Sequence, residues 1–174
     1  MALGTRYDQQ NCYLARALEV VGERWTLLIL RDCFYGVRRF SDFRIHLDIS
    51  RAVLSERLDT LVDAGVLTRS STGGHATYAL SEAGIALWPV IFALSKWGEE
   101  YAPSGHPGRV FSHAQCDTDV DDSGRCPSCG TIPAPQDLIV RPGSGTTASE
   151  RADAVARVLQ HPHRMLTPID TSHL

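Results

Sequence analysis

The chain has 174 residues, of which 43% are hydrophobic, and this combination suits one domain of ordinary size with an appendage. Its net charge of −3 argues against a protein that coats nucleic acid indiscriminately. No basic start followed by an apolar run opens the sequence, and no apolar run approaches the roughly 18 residues of a membrane span. We therefore expect a soluble cytoplasmic protein without a membrane partner.

Positive charge is concentrated in the first half of the chain. Between residues 24 and 57, seven arginines stand against four acidic residues. A group of aspartates at 117, 119, 121 and 122 places acidic charge elsewhere. The first half is therefore expected to carry a local basic surface.

Two helices are predicted at the start. Asn11 can cap a helix whose apolar residues recur at helical spacing until Gly22 ends it. The next helix, from Trp25 to Phe34, is apolar on almost every side, which predicts the buried central helix of the domain. Gly36 is expected to end it.

A short helix, a turn and a longer helix follow. Ser41 is predicted to cap a helix over residues 42–46, and residues 47–49 form the turn. Ser50 is predicted to cap the longer helix, which runs to Ala64 and carries its leucines on one face. This arrangement is typical of a helix-turn-helix DNA reader.

A hairpin and a last helix complete this part of the chain. Residues 66–69 and 77–80 have strand composition, and the connecting residues 70–76 contain two glycines that permit a turn. Ser81 is expected to cap a helix that reaches Tyr101 and bends at Pro89. The apolar surface of this helix, near Ile85 to Tyr101, predicts a dimer.

The predicted fold is mainly α with a small β-hairpin wing: a winged helix-turn-helix domain followed by a small C-terminal region of zinc-knuckle type. The domain covers residues 10–102, and a linker rich in Pro, Gly and His covers 103–110. The knuckle region covers 111–145. A C-terminal helix, expected within 148–159, and a loose tail make up residues 146–174.

Five blocks of sequence follow one another in a characteristic order, namely CYLARALEVVGERWTLLILRD, GVRRFSDF, ISRAVLSERLDTLVDAGVL, YALSEAG and LWPVIFALSKWGEE. Over about residues 10 to 101 they resemble the HxlR family of bacterial winged helix-turn-helix transcriptional regulators. The resemblance implies a homodimer, formed by the first and last helices of the domain, that binds double-stranded DNA. The loop SSTGGHA lacks the longer basic wing of many members, so we expect recognition-helix contacts to outweigh wing contacts.

The predicted recognition helix would enter the major groove with its first residues deepest. Arg51, Ala52 and Ser55 are the expected base-reading residues. An arginine can bind guanine through O6 and N7 together, and an alanine leaves room for a thymine methyl group.

Other polar residues are predicted to contact the DNA backbone. Arginines next to a helix start make a plausible phosphate clamp, and the hairpin would add contacts of its own. The alternative is that these arginines are solvated surface groups or partners of acids such as Asp42 and Glu56. The residues concerned are Arg38, Arg39, Ser41, Ser50, Arg57, Arg69 and His75.

Three cysteines and a histidine have metal-ligand spacing. His113, Cys116, Cys126 and Cys129 form the pattern H-x2-C-x9-C-x2-C, which predicts a closed, structural zinc site. The alternatives are a redox dithiol at Cys126 and Cys129, or ordinary cysteines. His106, His161 and His163 are alternative ligands of lower rank.

Cys12 stands apart from this cluster. A cap at Asn11 would put its sulfur in the first helical turn, where the helix dipole and Arg16 favour the thiolate. In some similar regulators the N-terminal cysteine senses oxidants or electrophiles, so the resemblance implies a possible redox sensor. The alternative is a small thiol packed beside the dimer interface.

The sequence therefore predicts a homodimeric repressor that reads an inverted-repeat operator through the helix from Ser50 to Ala64. A small molecule or an oxidant is the expected effector. Two alternatives stay open: a redox- or electrophile-responsive regulator that uses Cys12, and a protein-interaction module that no longer binds DNA. No nucleophile elbow or phosphate loop is present, and we expect no enzymatic activity.

Overall fold

A computed structural model gives the architecture of the chain and describes residues 7, 9–72, 74–102, 108–143 and 152–171. A mainly helical part comes first, and a small antiparallel sheet with short helices comes second. Within the described ranges the elements are α1 Tyr13–Val21, α2 Thr26–Phe34, α3 Phe40–Leu47, α4 Arg51–Asp63, β1 Leu67–Thr72, β2 His75–Leu80, α5 Glu82–Ile85, α6 Trp88–Tyr101, β3 Arg109–His113, β4 Thr118–Asp119, β5 Leu138–Pro142, α7 Ala154–Val158 and β6 His163–Arg164.

The predicted buried central helix is confirmed. In α2, Ile29, Leu30, Cys33 and Phe34 are completely buried. A helix that is apolar on most sides can remove its apolar surface from water only in the protein interior, where other elements pack around it. Helices α3 and α6 and strand β2 all contact α2, so it supports the recognition region and the hairpin together.

The first turns of α4 and α3 test two of the predicted helix caps. Ser50 caps α4 as expected, because its hydroxyl accepts a 3.3 Å hydrogen bond from the Val53 amide. The predicted Ser41 cap of α3 is wrong, because the helix begins at Phe40, one residue before Ser41. The reason is tertiary: the extended backbone of Arg39 forms a β-bridge with Thr77, so the helix starts directly after it.

The Asn11 cap is also wrong. Helix α1 begins at Tyr13, and the extended residue that precedes it is Cys12, whose side chain makes no capping hydrogen bond. Cys12 therefore occupies the N-cap position, directly before the first turn of the helix.

The hairpin strands are longer than predicted. Their register runs from Leu67 opposite Leu80 to Thr72 opposite His75, so the strands cover residues 67–72 and 75–80. Serine and threonine hydroxyls continue the pairing on the outer surface, where Ser70 and Thr77 are hydrogen-bonded at 2.8 Å. The long polar loop predicted over 70–76 is thus mostly strand.

The predicted helix from Ser81 to Tyr101 is divided in two. Ser81 caps α5 as expected, since its hydroxyl accepts a 3.1 Å bond from the Gly84 amide. Pro89 lies in the first turn of α6, where its missing N–H costs no helical hydrogen bond, so it starts a helix instead of bending one.

The C-terminal sheet, ordered β4-β3-β5-β6 and antiparallel throughout, shares its core with the helical part. The rings of Trp88 and Phe111 pack edge to face at 5.1 Å, and Phe34 lies 5.1 Å from Trp88 on the other side. Strand β3 begins at Arg109, inside the predicted linker, whereas residues 103–107 of that linker lie outside the described residues. The sheet is therefore an extension of the winged-helix core.

The described part of the C-terminal tail is not loose. Met165 and Ile169 are buried, and the amides of Leu166 and Ile169 bind the carbonyls of Phe34 and Gly36 at 2.8 and 2.9 Å. These bonds fasten residues 163–171 across the connection between α2 and α3. We call this stretch the C-terminal strap.

Helix α7 covers only residues 154–158 of the predicted helix, and the expected positions 148–151 lie outside the described residues. It packs against α3, where His46 Nδ1 and Asp153 Oδ1 are 2.9 Å apart. The C-terminal region thus contacts the helix-turn-helix as well as the core.

Replacing Gly36 by alanine is expected to lower the free energy of unfolding by about 2 to 6 kcal/mol. Gly36 has a φ of +97°, and an added Cβ would overlap the carbonyl oxygen of Thr167 in the strap. Gly65→Ala is the matched control, because Gly65 has a φ of +71° but open space around its Cβ. Denaturant unfolding of both variants measures the difference, and equal losses would contradict a close contact at Gly36.

Candidate nucleic-acid interface and metal centre

A groove of about 960 Å³ lies between α3, the exposed side of α4 and the hairpin. It brings together most of the residues that the sequence predicted for DNA contact. Its lining consists of Arg39, Phe40, Ser41, Arg44, Arg51, Ser55, Asp59, Arg69, His75, Ala76 and Tyr78. Four arginines against one carboxylate make this surface basic, in spite of the negative charge of the whole chain.

The groove exists because α4 is amphipathic. Leu54, Leu58 and Leu61 are completely buried, so the residues between them must face outwards. Arg51, Ala52 and Ser55 are accordingly exposed, all within the first two turns of the helix. A short turn with Asp48 in the left-handed conformation sets α4 against α3.

Aromatic rings hold two of the groove arginines in position. The Arg51 guanidinium lies 5.7 Å from the centre of the Phe40 ring, and that of Arg69 lies 5.9 Å from the Tyr78 ring. Arg69 also has Asp59 at 3.7 Å. This pair is exposed, so its contribution to stability is small and the Arg69 guanidinium is available to a polyanion.

Arg44 belongs to the groove, although sequence analysis did not select it. It follows Ser41 by three residues on α3, which places the two side chains on the same helical face. That spacing, within the run of arginines in the first half, was the signal that could have identified it.

Arg38 and Arg57 differ from the other predicted arginines. Arg38 donates to the Leu166 carbonyl at 3.0 Å, its other terminal nitrogen is buried, and burial lowers the pKa of its guanidinium. Arg57 is only 17% exposed and pairs with Glu56 at 2.7 Å and Glu23 at 3.8 Å. Both guanidinium groups therefore bind the protein itself. The pairing of Arg57 with Glu56 agrees with the alternative interpretation, whereas the bond of Arg38 to a distant carbonyl was not predicted.

The four predicted metal ligands meet in space. The ligand atoms of His113, Cys116, Cys126 and Cys129 all lie within 4.8 Å of one another, so the cluster could hold a metal ion. His113 ends β3, Cys116 follows in the next turn, and a tight turn from Cys126 to Gly130 brings the last two thiols together. Of the alternative ligands, His163 has a different partner, since its Nε2 lies 3.0 Å from the Thr167 carbonyl oxygen. His106 lies outside the described residues.

The electrostatics of this cluster favour a cation. Hydrogen bonds from the hydroxyl and amide of Thr131 lower the pKa of Cys129 to about 6, and Sγ of Cys129 lies 3.4 Å from Nδ1 of His113. Burial and the neighbouring thiols raise the pKa of Cys116 to about 11. Deprotonating a further thiol in this cluster costs free energy because the thiolates repel one another. A bound metal ion would offset that repulsion with its positive charge.

Cys12 is exposed at the N-terminus of α1. The backbone N–H groups of Ala15 and Leu14, in the first turn of the helix, lower the pKa of its thiol, as the start of a helix is expected to do. Arg16 forms an ion pair with Glu19 at 3.5 Å, so the favoured thiolate is due to the helix and not to that arginine. Burial raises the pKa of Cys33, in agreement with an unreactive thiol.

Helices α1 and α6 both present apolar side chains to solvent. On α6, Trp88, Ile91 and Phe92 face the core, yet other large side chains of the same helix are about half exposed. The helix is thus apolar on two sides, and one of them has no cover within the described part of the molecule. The exposed residues are Tyr13, Leu14 and Leu18 on α1 and Val90, Leu94, Trp97 and Tyr101 on α6.

The capped recognition helix, the hairpin beside it and the basic groove between them define a winged helix-turn-helix DNA-binding protein. The chain belongs to the HxlR-like helix-turn-helix family, whose profile matches residues 20–106. Transcriptional regulators, which are not enzymes, make up this family. The chain is therefore a transcriptional regulator of the helix-turn-helix type.

Relatives support the assignment over both parts of the chain. An uncharacterized HTH-type transcriptional regulator of Mycobacterium tuberculosis is 42% identical over 151 residues, which cover 84% of this chain and 94% of the relative. The regulator YvaP of Bacillus subtilis is 36% identical over 90 residues, 49% of this chain and 83% of its own. The crystal structure of PA1607, a proposed transcription factor, has a TM-score of 0.54 with 34% identity and covers 84% of this chain and 97% of its own.

None of the helices in the described residues is long and apolar enough to cross a membrane.

Proposed function

We propose that the chain is a homodimeric repressor in the bacterial cytoplasm that reads an inverted-repeat operator through α4. The observation that carries the proposal is the groove, where the exposed start of α4 shares one surface with Arg39, Arg44 and Arg69. Base-reading side chains and phosphate-binding cations must lie on one surface for a helix to be held in the major groove. A dimer bound to its operator represses by excluding other proteins from the same DNA.

Within this proposal, Arg51 binds a guanine, Ala52 lies against a thymine methyl group and Ser55 reaches a base or phosphate. Arg39, Ser41, Arg44, Arg69 and His75 contact the backbone on either side. Ser50 contributes indirectly, since its hydroxyl is used by the Val53 amide. Arg38 and Arg57 hold the scaffold instead of the DNA.

Arg51→Ala is expected to remove base preference at one position of each half-site, with a loss of about 1 to 3 kcal/mol of discrimination. Arg57→Ala is the matched control on the same helix, because Arg57 is paired with Glu56 and Glu23. Gel-shift titrations against the gene's own upstream region, followed by single-base variants of the bound site, measure both effects. An unchanged preference in the Arg51 variant would contradict its role, and wild-type protein without any sequence-specific binding would favour the protein-interaction alternative.

The dimer in this proposal forms through α1 and α6. Both helices expose large apolar side chains to water, which is typical of a protein–protein interface. A two-fold axis here would set the two recognition helices about 34 Å apart, one turn of DNA. The inverted repeat follows from that symmetry.

Leu94→Glu is expected to shift the protein from dimer towards monomer, because a carboxylate would be desolvated in the interface. Ile45→Glu is the control: Ile45 is 53% exposed and Leu94 is 49% exposed, but Ile45 lies on α3. Sedimentation equilibrium distinguishes the 19.1 kDa chain from its dimer. The same mass for both variants would argue against α6 as the interface.

We further propose that the four-residue cluster binds a structural zinc ion. Three sulfurs and one imidazole complete a tetrahedron, which matches the preference of zinc and leaves no position for a substrate water. Zinc bound there would connect the end of β3 to the turn after Cys126, across a spacer too polar to fold through apolar burial alone. A dithiol at Cys126 and Cys129 is the alternative.

Protein purified without added metal is expected to contain about one equivalent of zinc per chain, and Cys126→Ser is expected to lose most of it. Cys12→Ser is the control, since Cys12 is exposed and lies outside the cluster. Elemental analysis by mass spectrometry measures the content of each protein. A disulfide between Cys126 and Cys129 in metal-free wild-type protein would favour the dithiol instead.

The use of Cys12 as a redox or electrophile sensor stays a prediction of the same proposal. Its exposure and the lowered pKa of its thiol support it.

A further inference from the structure

A second cavity lies between the end of α2, α6 and β3. Its volume is about 330 Å³, within the range of pockets that bind small molecules. Its charged and aromatic lining residues are Arg31, Lys96, Glu99, Arg109, Tyr35, Phe92 and Phe111. It is therefore separate from the groove and from the metal cluster.

One end of this cavity is positively charged. Burial lowers the pKa of Arg109, and the charge of nearby Arg31 lowers it further. Arg31, Tyr35 and Arg109 all line the cavity, and the Arg31 guanidinium lies 5.9 Å from the centre of the Tyr35 ring. Burial raises the pKa of Tyr35, and the charges of both arginines act against that rise. Two cations that face one buried hydroxyl repel each other unless an anion lies between them.

Within the described part of the chain, acidic groups pair with two of the three cations in the cavity wall and leave the third, Arg109, without a carboxylate. Asp32 binds Arg31 at 2.7 Å, whereas Arg109 is hydrogen-bonded to the neutral carbonyl of Leu159. Lys96 is held by Glu99 and Asp122, at 3.0 and 3.1 Å. Among the described residues, Arg109 therefore has no carboxylate partner, and its charge is left for a ligand.

The other end of the cavity is apolar. The rings of Phe92 and Phe111 pack edge to face at 5.7 Å and form part of its wall. A ligand that contacts both the arginines and the phenylalanine rings must combine a negatively charged group with a flat or compact apolar group. Carboxylates suit an arginine especially well because two parallel N–H groups can bind the two oxygens.

We propose that this cavity is an effector site for a small aromatic carboxylate, with the carboxylate on Arg109 and Arg31 and the ring against Phe92 and Phe111. The site joins the second helix of the winged helix, the proposed dimer helix and the first strand of the C-terminal sheet. A bound ligand would change how these three elements pack. The effect on DNA rests on the proposed function, whereas binding itself does not.

Isothermal titration of the full chain with benzoate, cinnamate and indole-3-acetate, in the absence of DNA, tests the site. At least one of these carboxylates is expected to bind saturably, and its uncharged amide at least tenfold more weakly, because the amide cannot accept two charge-assisted bonds. Arg109→Gln is expected to weaken carboxylate binding about tenfold or more. Arg157→Gln, at an exposed arginine of α7 outside the cavity wall, is expected to leave it unchanged.

A second variant protects the test against misfolding. Gly98 lies in the cavity wall, and a Cβ added there meets no atom within 4 Å, so Gly98→Leu is expected to fold normally and to obstruct the ligand. Circular dichroism and thermal unfolding establish that each variant is folded. Equal affinity of the carboxylate and its amide, normal binding by folded Arg109→Gln and Gly98→Leu proteins, or no saturable binding by any probe would overturn the site.

Gel shifts with and without the bound carboxylate then separate the site from its regulatory role. A changed DNA affinity supports the effector role. Carboxylate binding with unchanged DNA affinity supports the site and overturns that role, and sequence-specific DNA binding without any carboxylate binding overturns the site while the proposed repressor stands.

Discussion

The packing of Phe34, Trp88, Phe92 and Phe111 is the interaction on which the rest of the molecule depends. These four rings come from α2, α6 and β3, and successive ring centres lie 5.1 to 5.8 Å apart. Aromatic pairs of this kind contribute about 0.5 to 1.5 kcal/mol each beyond the burial of their surface. They make one core of the winged helix and the C-terminal sheet, and so they fix where the groove and the thiol cluster lie.

The C-terminal strap is the second connection between these parts. It leaves the sheet through β6 and then crosses the α2–α3 connection, where it binds the carbonyls of Phe34 and Gly36. Thr171 adds a 3.0 Å hydrogen bond to Asp42 of α3. Helix α3, which precedes the recognition turn, is thus supported by a segment that begins in the C-terminal sheet.

Charge is distributed so that an acidic protein can present a basic surface. The groove gathers Arg39, Arg44, Arg51 and Arg69, while buried or paired arginines such as Arg38 and Arg57 add nothing to it. Acidic residues of the second half, such as Asp119, bind partners there, in this case Arg141 at 2.6 Å. This separation favours specific binding over general attraction to nucleic acid, because among the described residues only the groove gathers several arginines on one surface.

Local chemistry in the sequence determined the helix-turn-helix, the Ser50 cap, the exposed face of α4 and the spacing of the thiol cluster, since each depends on residues within one or two turns or a short loop. Only the tertiary structure decided which arginines face the groove, because Arg38 finds its partner 128 residues away at Leu166. The same holds for the length of the hairpin strands, the start of α3 directly after Arg39, the bond between the strap and Gly36, and the shared cavity of Arg31 and Arg109. Contacts between distant segments produce no periodic pattern in the sequence and cannot be predicted from it. Helix caps and amphipathic faces depend on neighbouring residues, so the sequence pattern predicts them.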